Sequence, residues 1–192
     1  QEYQKLLGEK QDLYSKLTNH EKAVFDKYKS NDNLFAYRLN DALRQSINLV
    51  EFQNEISILD KIISLCVCQK PIKLYRATNE HLVIPFISTD GIYRNPEYLS
   101  TSSNIGSVHS HFTNPYNPLY ITFQLPEGSQ MANFESNVTF DDSENEVLLG
   151  RNNKFKVIDN RITTNMNEIE EIMTRFYARD VSSLRILIVE KA

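Results

Sequence analysis

The sequence predicts an α+β fold, in which a helical leader precedes a mostly antiparallel set of strands. Two observations carry this prediction. Residues 1–69 place apolar side chains at helical spacing and hold no proline and no glycine other than Gly8. Beyond Pro71 the texture changes to short alternating runs broken by turn residues, and helices followed by strands is the α+β order. The boundary falls near residue 70. A helical lobe over 1–69 and a strand-rich core over 70–192 are expected to pack as one compact unit.

Leu6, Leu7, Leu13 and Leu17 set the first helical stripe, with Asn19 or His20 as its end. Val24, Phe25 and Tyr28 make a short second helix. Ser30-Asn31-Asp32-Asn33 is a turn cluster that can also cap a third helix. Leu34, Phe35, Leu39 and Leu43 form the stripe of that helix, and Phe52, Ile56, Leu59, Ile62, Ile63 and Cys66 a fourth. Each helix therefore has one apolar face to bury. Both cysteines, Cys66 and Cys68, fall in the last predicted helix. Two residues apart on a helix they point in different directions, so a disulfide is not expected. The pair fits neither a redox motif nor zinc spacing, which leaves the role of small buried hydrophobes.

Pro71 closes the helical part. Ile72 and Leu74 open a strand that carries Tyr75 and Arg76. Residues 78–96 read as loop or short helix, with Asp90-Gly91 and Asn95-Pro96 as turns. Tyr98 and Leu99 lead into Ser100-Thr101-Ser102-Ser103. Residues 104–112 are expected to be a helix ending at His109, His111 and Phe112, followed by a loop through Pro118. Leu119, Ile121 and Phe123 alternate with Tyr120 and Thr122 as a strand, turned by Pro126-Glu127-Gly128. A brief element at Met131–Phe134 and a polar loop over 135–143 precede Glu144-Asn145-Glu146-Val147-Leu148-Leu149. Asn152-Asn153 turns the chain into a strand over 154–158. Asn160 through Met173 is weakly patterned, a connector or short helix, and Leu184, Ile186, Ile188 and Val189 complete a late strand.

Composition narrows the function classes. With 192 residues, 41% hydrophobic and 24% charged, the chain suits one domain with a substantial core. A net charge of -4 gives no global basic surface for nucleic acid, and no Lys/Arg block supports a local basic groove. No apolar run approaches the roughly 20 residues that a membrane-spanning helix needs, so no membrane insertion is expected. The chain begins at Gln1, and upstream sequence, including a possible delivery domain, is expected to be missing. No G-x-G-x-x-G or phosphate loop occurs, which argues against Rossmann-type dinucleotide binding. His109 and His111 lack a nearby cysteine or acidic ligand, so no metal site is expected.

Three polar elements lie at the starts or ends of predicted strands: Arg76, Ser100-Thr101-Ser102, and Glu144-x-Glu146. In a strand, Glu144 and Glu146 share one face, and Val147, Leu148 and Leu149 anchor them to a core. Acidic residues at the mouth of a buried strand call for a partner or a job. Each element alone has a plain explanation, and Glu168-Ile169-Glu170 repeats the glutamate spacing elsewhere. Taken in order after a helical leader, they resemble the arginine–serine–glutamate class of mono-ADP-ribosyltransferases, in its glutamate–x–glutamate subgroup, a class that includes bacterial toxins modifying actin and arginine. The motifs carrying the likeness are Tyr75-Arg76, Tyr98-Leu99-Ser100-Thr101-Ser102, the strand and turn over Leu119–Gly128, and Glu144 to Leu149. The likeness covers about residues 70–190. The turn Gly150-Arg151-Asn152-Asn153 departs from the family's proline–arginine–glycine.

The resemblance implies a mixed, mainly antiparallel two-sheet core, NAD as co-substrate and no metal. It further implies transfer of ADP-ribose to a host or competitor protein that carries an acceptor arginine. Secretion or injection by a bacterium, with activity in the target-cell cytoplasm, is implied by the same likeness. Arg76 would hold the cofactor phosphates, because a guanidinium offers a fixed fork of donors to phosphate oxygens. Ser100 would bond the nicotinamide ribose or Glu146, with Ser102 steadying the same face and Thr101 supporting the core. Phe112 would pack on nicotinamide, whose carboxamide would meet backbone near Tyr75 and Arg76. Glu146 would accept from the ribose 2'-hydroxyl and stabilise the positive charge that develops as nicotinamide leaves. Glu144, with Phe140 in the loop before it, would meet the acceptor. Two close carboxylates raise each other's proton affinity, which suits one of them to act as a base. The same fold used as an NAD glycohydrolase, or as a degenerate interaction module, are the competing readings.

Overall fold

In the computed structural model, residues 9–103, 114–133, 146–173 and 180–192 are described. Four helices, α1 (Glu9–Lys16), α2 (Asn19–Ser30), α3 (Phe35–Gln45) and α4 (Gln53–Ser64), lead into the strands, as the periodicity predicts. The first break comes earlier than the apolar stripe suggests. Thr18 caps α2: its hydroxyl accepts from the Glu21 amide, and the Glu21 carboxylate accepts from the Thr18 amide. Asn19 and His20 therefore begin the second helix rather than end the first. Asn31, in a left-handed conformation, closes α2, and its side chain accepts from the Ala36 amide at 2.9 Å to open α3. Leu34 departs from its predicted stripe. It takes the left-handed N-cap position of α3 and stays exposed, while Phe35, Leu39 and Leu43 are buried.

The cysteines also lie differently from the prediction. Helix α4 ends at Ser64, and both come after it. Cys68 runs in an extended segment, where its amide donates to the Ser129 carbonyl and its carbonyl accepts from Gly128. Cys68 is fully buried and Cys66 only partly, and they are thiols rather than a disulfide.

Eight strands complete the described fold: β1 (Ile72–Asn79), β2 (Ile92–Arg94), β3 (Leu99–Ser102), β4 (Pro118–Leu125), β5 (Met131–Asn133), β6 (Glu146–Leu149), β7 (Lys154–Thr163) and β8 (Leu184–Lys191). Their order is β2-β7-β8-β4-β1-β3-β6-β5. β8 runs parallel to β4, and the other pairings are antiparallel. Between β1 and β3 the ladder narrows to one pair, Tyr75 opposite Ser102. That seam divides the core into a five-stranded and a three-stranded sheet, the mixed, mainly antiparallel two-sheet architecture expected. The short β2 replaces part of the predicted 78–96 loop, beside two 3-10 turns at Glu80–Leu82 and Ile84–Phe86. β7 continues to Thr163 through a bulge at Val157/Asp159, beyond the predicted end at 158, and leads on to α5 (Met166–Ile172). Asp159, Asn160 and Arg161 weaken the apolar alternation there, but the ladder to β8 carries the strand on.

The three-stranded sheet has two faces, and alternation decides what each one meets. Tyr98, Leu148 and Ala132 pack into one cluster with the helices' Phe25, Tyr28, Leu39, Leu59 and Ile62. Leu99, Val147, Leu149 and Met131 turn the other way, into a cluster with Leu74, Ile121, Phe123 and Phe155 of the larger sheet. The helical lobe thus covers the outer face of β3, β6 and β5. Among the described residues no helix is long and apolar enough to cross a membrane.

Candidate active site

The site forms where the two sheets meet, on the face of β3 and β6 that looks toward the helices. Ser102 stands directly opposite Glu146, and Ser100 opposite Leu148. A period of two puts Ser100, Ser102 and Glu146 on one face, with Ser100 diagonal to the glutamate. The Ser100 hydroxyl donates to Oε2 of Glu146. Thr101 points the other way, and its hydroxyl donates to the Val147 carbonyl at 2.7 Å, tying the two strands together from within the core. Ser102 is buried beside the glutamate.

Arg76 reaches across the seam from β1. Its Nη1 donates to the Ser100 carbonyl at 2.8 Å, so the guanidinium is bound to the backbone of the residue that holds Glu146. Tyr75, next along β1, faces away from this surface. Its ring stacks on Tyr120 at 6.3 Å with an interplanar angle of 4°, in a separate cluster with Ile169, Met173 and Leu184. The side chain of Tyr75 is therefore not brought together with Arg76, Ser100 and Glu146, and only its backbone borders the seam. Phe112, Phe140, Glu144, His109 and His111 lie outside the described residues.

The helical lobe supplies what the motifs do not show. Lys29, in the last turn of α2, places Nζ 2.8 Å from Oε1 of Glu146. Both side chains are largely buried, at 14% and 11% exposure, so this pair is shielded from the solvent screening that weakens surface ion pairs. No local sequence signal marks Lys29, since its partner is 117 residues away. Its neighbour Tyr28 is buried, and its hydroxyl accepts from Asn40 at 2.9 Å. Asn40 in turn accepts from the Tyr98 amide at 3.2 Å, linking α2, α3 and the entrance to β3. Burial pushes the Tyr28 phenol far above its ordinary range, the Asn40 hydrogen bond works against that, and Glu146 raises it while Arg76 lowers it. A neutral phenol therefore lies within the fields of both charged groups.

Chemically, the face combines a carboxylate with a donor on each oxygen, an ammonium and a guanidinium. Such a set can hold an anionic ligand and place a negative group beside a developing cation. Among the described residues no group of three or more His, Cys, Asp or Glu side chains could hold a metal ion. Glu168-Ile169-Glu170, the second glutamate repeat, lies in α5, where Glu168 accepts from Arg161 and from Thr163.

A family model described as ADP-ribosyltransferase exoenzyme matches residues 8–179. No curated protein matches the chain. Among solved structures, Plx2a, an ADP-ribosyltransferase toxin from Paenibacillus larvae, superposes with a TM-score of 0.68 at 19% identity, covering 96% of this chain and 91% of its own. The enzymatic component C2-I of the C2-toxin from Clostridium botulinum gives 0.71 at 19% identity, with 99% of this chain covered but only 48% of C2-I. C3stau2 from S. aureus, solved with NAD, gives 0.63 at 16% identity over 100% and 99% of the two chains. At such identities the likeness is one of fold.

Proposed function

The chain belongs to the ADP-ribosyltransferase exoenzyme family, and from that premise we propose that it transfers ADP-ribose from NAD to an arginine side chain of a target protein, releasing nicotinamide. The observation that carries the reading is the carboxylate of Glu146, held by the Ser100 hydroxyl on the face that Arg76 overlooks. The donor set suits NAD: a guanidinium for a diphosphate, and a carboxylate for a ribose hydroxyl. A relative of the same fold solved with NAD supports the choice of nucleotide.

In the proposed mechanism Arg76 binds the diphosphate. Ser100 fixes the rotamer of Glu146, which accepts from the 2'-hydroxyl of the nicotinamide ribose. As the bond to nicotinamide breaks, positive charge grows on the ribose ring, and a carboxylate already oriented by its neighbours stabilises that charge without rearranging. Phe112 packs on the nicotinamide ring. Glu144 orients the acceptor guanidinium and takes its proton, with Phe140 contacting the target surface. Arginine is favoured because a glutamate at 144 supplies a base that a glutamine would not. The setting is that of a bacterial toxin or effector, released or injected and active on a protein inside the target cell.

Labelled NAD incubated with the chain and a host-cell lysate tests the reading directly, with the labelled protein and residue identified by mass spectrometry. Label on arginine supports it. Label on another residue type overturns the acceptor assignment, and nicotinamide release without protein labelling makes the chain an NAD glycohydrolase. Glu146→Gln is expected to cut nicotinamide release by about 100-fold or more, the scale of losing a preorganised electrostatic group. Glu144→Gln is expected to abolish transfer while leaving most nicotinamide release intact. Equal loss of both would refute the division of roles.

A further inference from the structure

The ion pair between Lys29 and Glu146 poses a problem that the motifs leave unanswered. Without ligand, both carboxylate oxygens are engaged by the protein, Oε2 by Ser100 and Oε1 by Lys29 at 2.8 Å. An incoming ribose hydroxyl needs one of them. The Ser100 bond is fixed by the register of β3 on β6, since both groups stand on paired strands. Lys29 is tethered differently. It lies at the end of α2, one residue before Ser30 and two before the left-handed Asn31, and its charge sits on a flexible four-carbon stem with three donors. Of the two partners, the ammonium is the one that can move.

Electrostatics gives it a reason to move. An ammonium held against Glu146 offsets the negative charge that should face the developing ribosyl cation, and like charges at close range in a shielded site repel strongly. A largely buried ammonium that moves off the carboxylate gains by meeting another anion. In a dinucleotide, the anionic part is the diphosphate. Arg76, the proposed diphosphate ligand, is bound to the carbonyl of Ser100, whose hydroxyl holds the same carboxylate that Lys29 pairs with, so both cations border one site.

We propose that Lys29 is a transferable counter-ion: it pairs with Glu146 in the empty site and passes to the diphosphate of NAD when the dinucleotide binds, releasing Oε1 to the ribose 2'-hydroxyl. The inference rests on NAD being the substrate and adds a cation from the helical lobe to its recognition. It makes opening of the carboxylate conditional on a ligand that carries a diphosphate. A ribosyl compound lacking that group meets a glutamate still occupied by lysine.

The test uses the whole chain and monitors nicotinamide release from NAD, inhibited either by ADP-ribose, which carries the diphosphate, or by nicotinamide riboside, which does not. In Lys29→Met, the KM for NAD and the inhibition constant of ADP-ribose are each expected to rise about tenfold or more, the scale of one hydrogen bond to a charged group. The inhibition constant of nicotinamide riboside is expected to stay level or fall, because the carboxylate no longer carries its lysine. Lys29→Arg, which keeps the charge, is expected to recover part of the lost affinity for ADP-ribose. If all three constants rise together, the lysine is only a scaffold for Glu146. If all fall, it is only a block, and if none changes it has no part in binding. Each of these three outcomes overturns the proposal. Absence of nicotinamide release by the unaltered chain would instead defeat the proposed function itself.

Discussion

Glu146 is oriented by the fold before any ligand arrives, and Ser100 is the residue that sets the orientation. The serine spends its hydroxyl on the glutamate and its carbonyl on Arg76, so one residue ties together the anionic and cationic halves of the site. Replacing it with alanine removes the first link and keeps the second, because the Arg76 bond goes to backbone. Ser100→Ala is therefore expected to lower the rate of nicotinamide release by about 10- to 100-fold, as one hydrogen bond to a charged group is worth roughly 1.5–3 kcal/mol. Its KM for NAD should change little. A KM that rises as steeply as kcat falls would mean the serine binds substrate rather than positions the glutamate. At this scale the sequence was informative wherever chemistry obeyed strand alternation. Ser100, Ser102 and Glu146 share a face because β3 and β6 pair in register, and Thr101 points into the core by the same rule. Tyr75 obeys the alternation too, which takes its ring to Tyr120 and away from the site. Lys29 was not legible, since a lysine near a helix end is ordinary and only the tertiary fold brings it to the glutamate.

Among the elements, α2 shows how a local signal sets a boundary and then supports the site. The Thr18-x-x-Glu21 box begins the helix, and Lys61 of α4 places Nζ 2.6 Å from the same glutamate. The box was present in the sequence, but the leucine stripe running to Leu17 drew the first helix past its true end. Apolar spacing locates a buried face well and helix ends poorly, because ends are decided by which side chain satisfies the first free amides. The strands show the same limit: β2 has only three residues, and the polar half of β7 is held by its ladder to β8 rather than by an apolar pattern. Thr18→Ala is expected to cost about 1 kcal/mol of stability in denaturant unfolding. Glu21 adds a pH dependence. The Lys61 contact, and after it the Thr18 amide, lowers its carboxyl below the ordinary 4.5. The folded state then binds fewer protons than the unfolded one in acid. The stability Glu21 contributes is present above about pH 4.5 and is lost as pH falls from there through the depressed folded value. Glu21→Gln should therefore flatten this part of the acid limb of a stability–pH curve, and an unaltered limb would show that the pair contributes nothing.

For the whole molecule, the decisive feature is that the helical lobe does not own its core. The largest helical cluster is completed by Tyr98, Leu148 and Ala132 from the three-stranded sheet. Polar ties cross the same boundary: Arg44 of α3 bonds Glu97, which is 2% exposed, at 2.9 Å; the Tyr98 hydroxyl donates to Asp60 of α4 at 2.6 Å; and Lys29 reaches Glu146. Removing the helices would bare the apolar outer face of β3, β6 and β5 and strip Glu97 and Glu146 of these cations. The larger sheet is no more separable, because β8 lies between β7 and β4 and joins the C-terminal residues to its middle. A cooperative unit of this kind is expected to unfold in one step despite its two sheets and helical lobe. The chain has no tryptophan and ten tyrosines, and tyrosines pack in both parts, with Tyr28 in the helices and Tyr93, Tyr98 and Tyr120 among the strands or their approaches. Tyrosine fluorescence and far-ultraviolet circular dichroism should therefore give superimposable urea transitions with one midpoint and one slope. Site occupancy should move both together, since a ligand bound between Arg76, Lys29 and Glu146 bridges the strands and the helical lobe and stabilises the folded state by mass action. Two separated transitions, or a shift by ADP-ribose in only one probe, would show that the helical lobe folds on its own and that its hold on Glu146 is incidental.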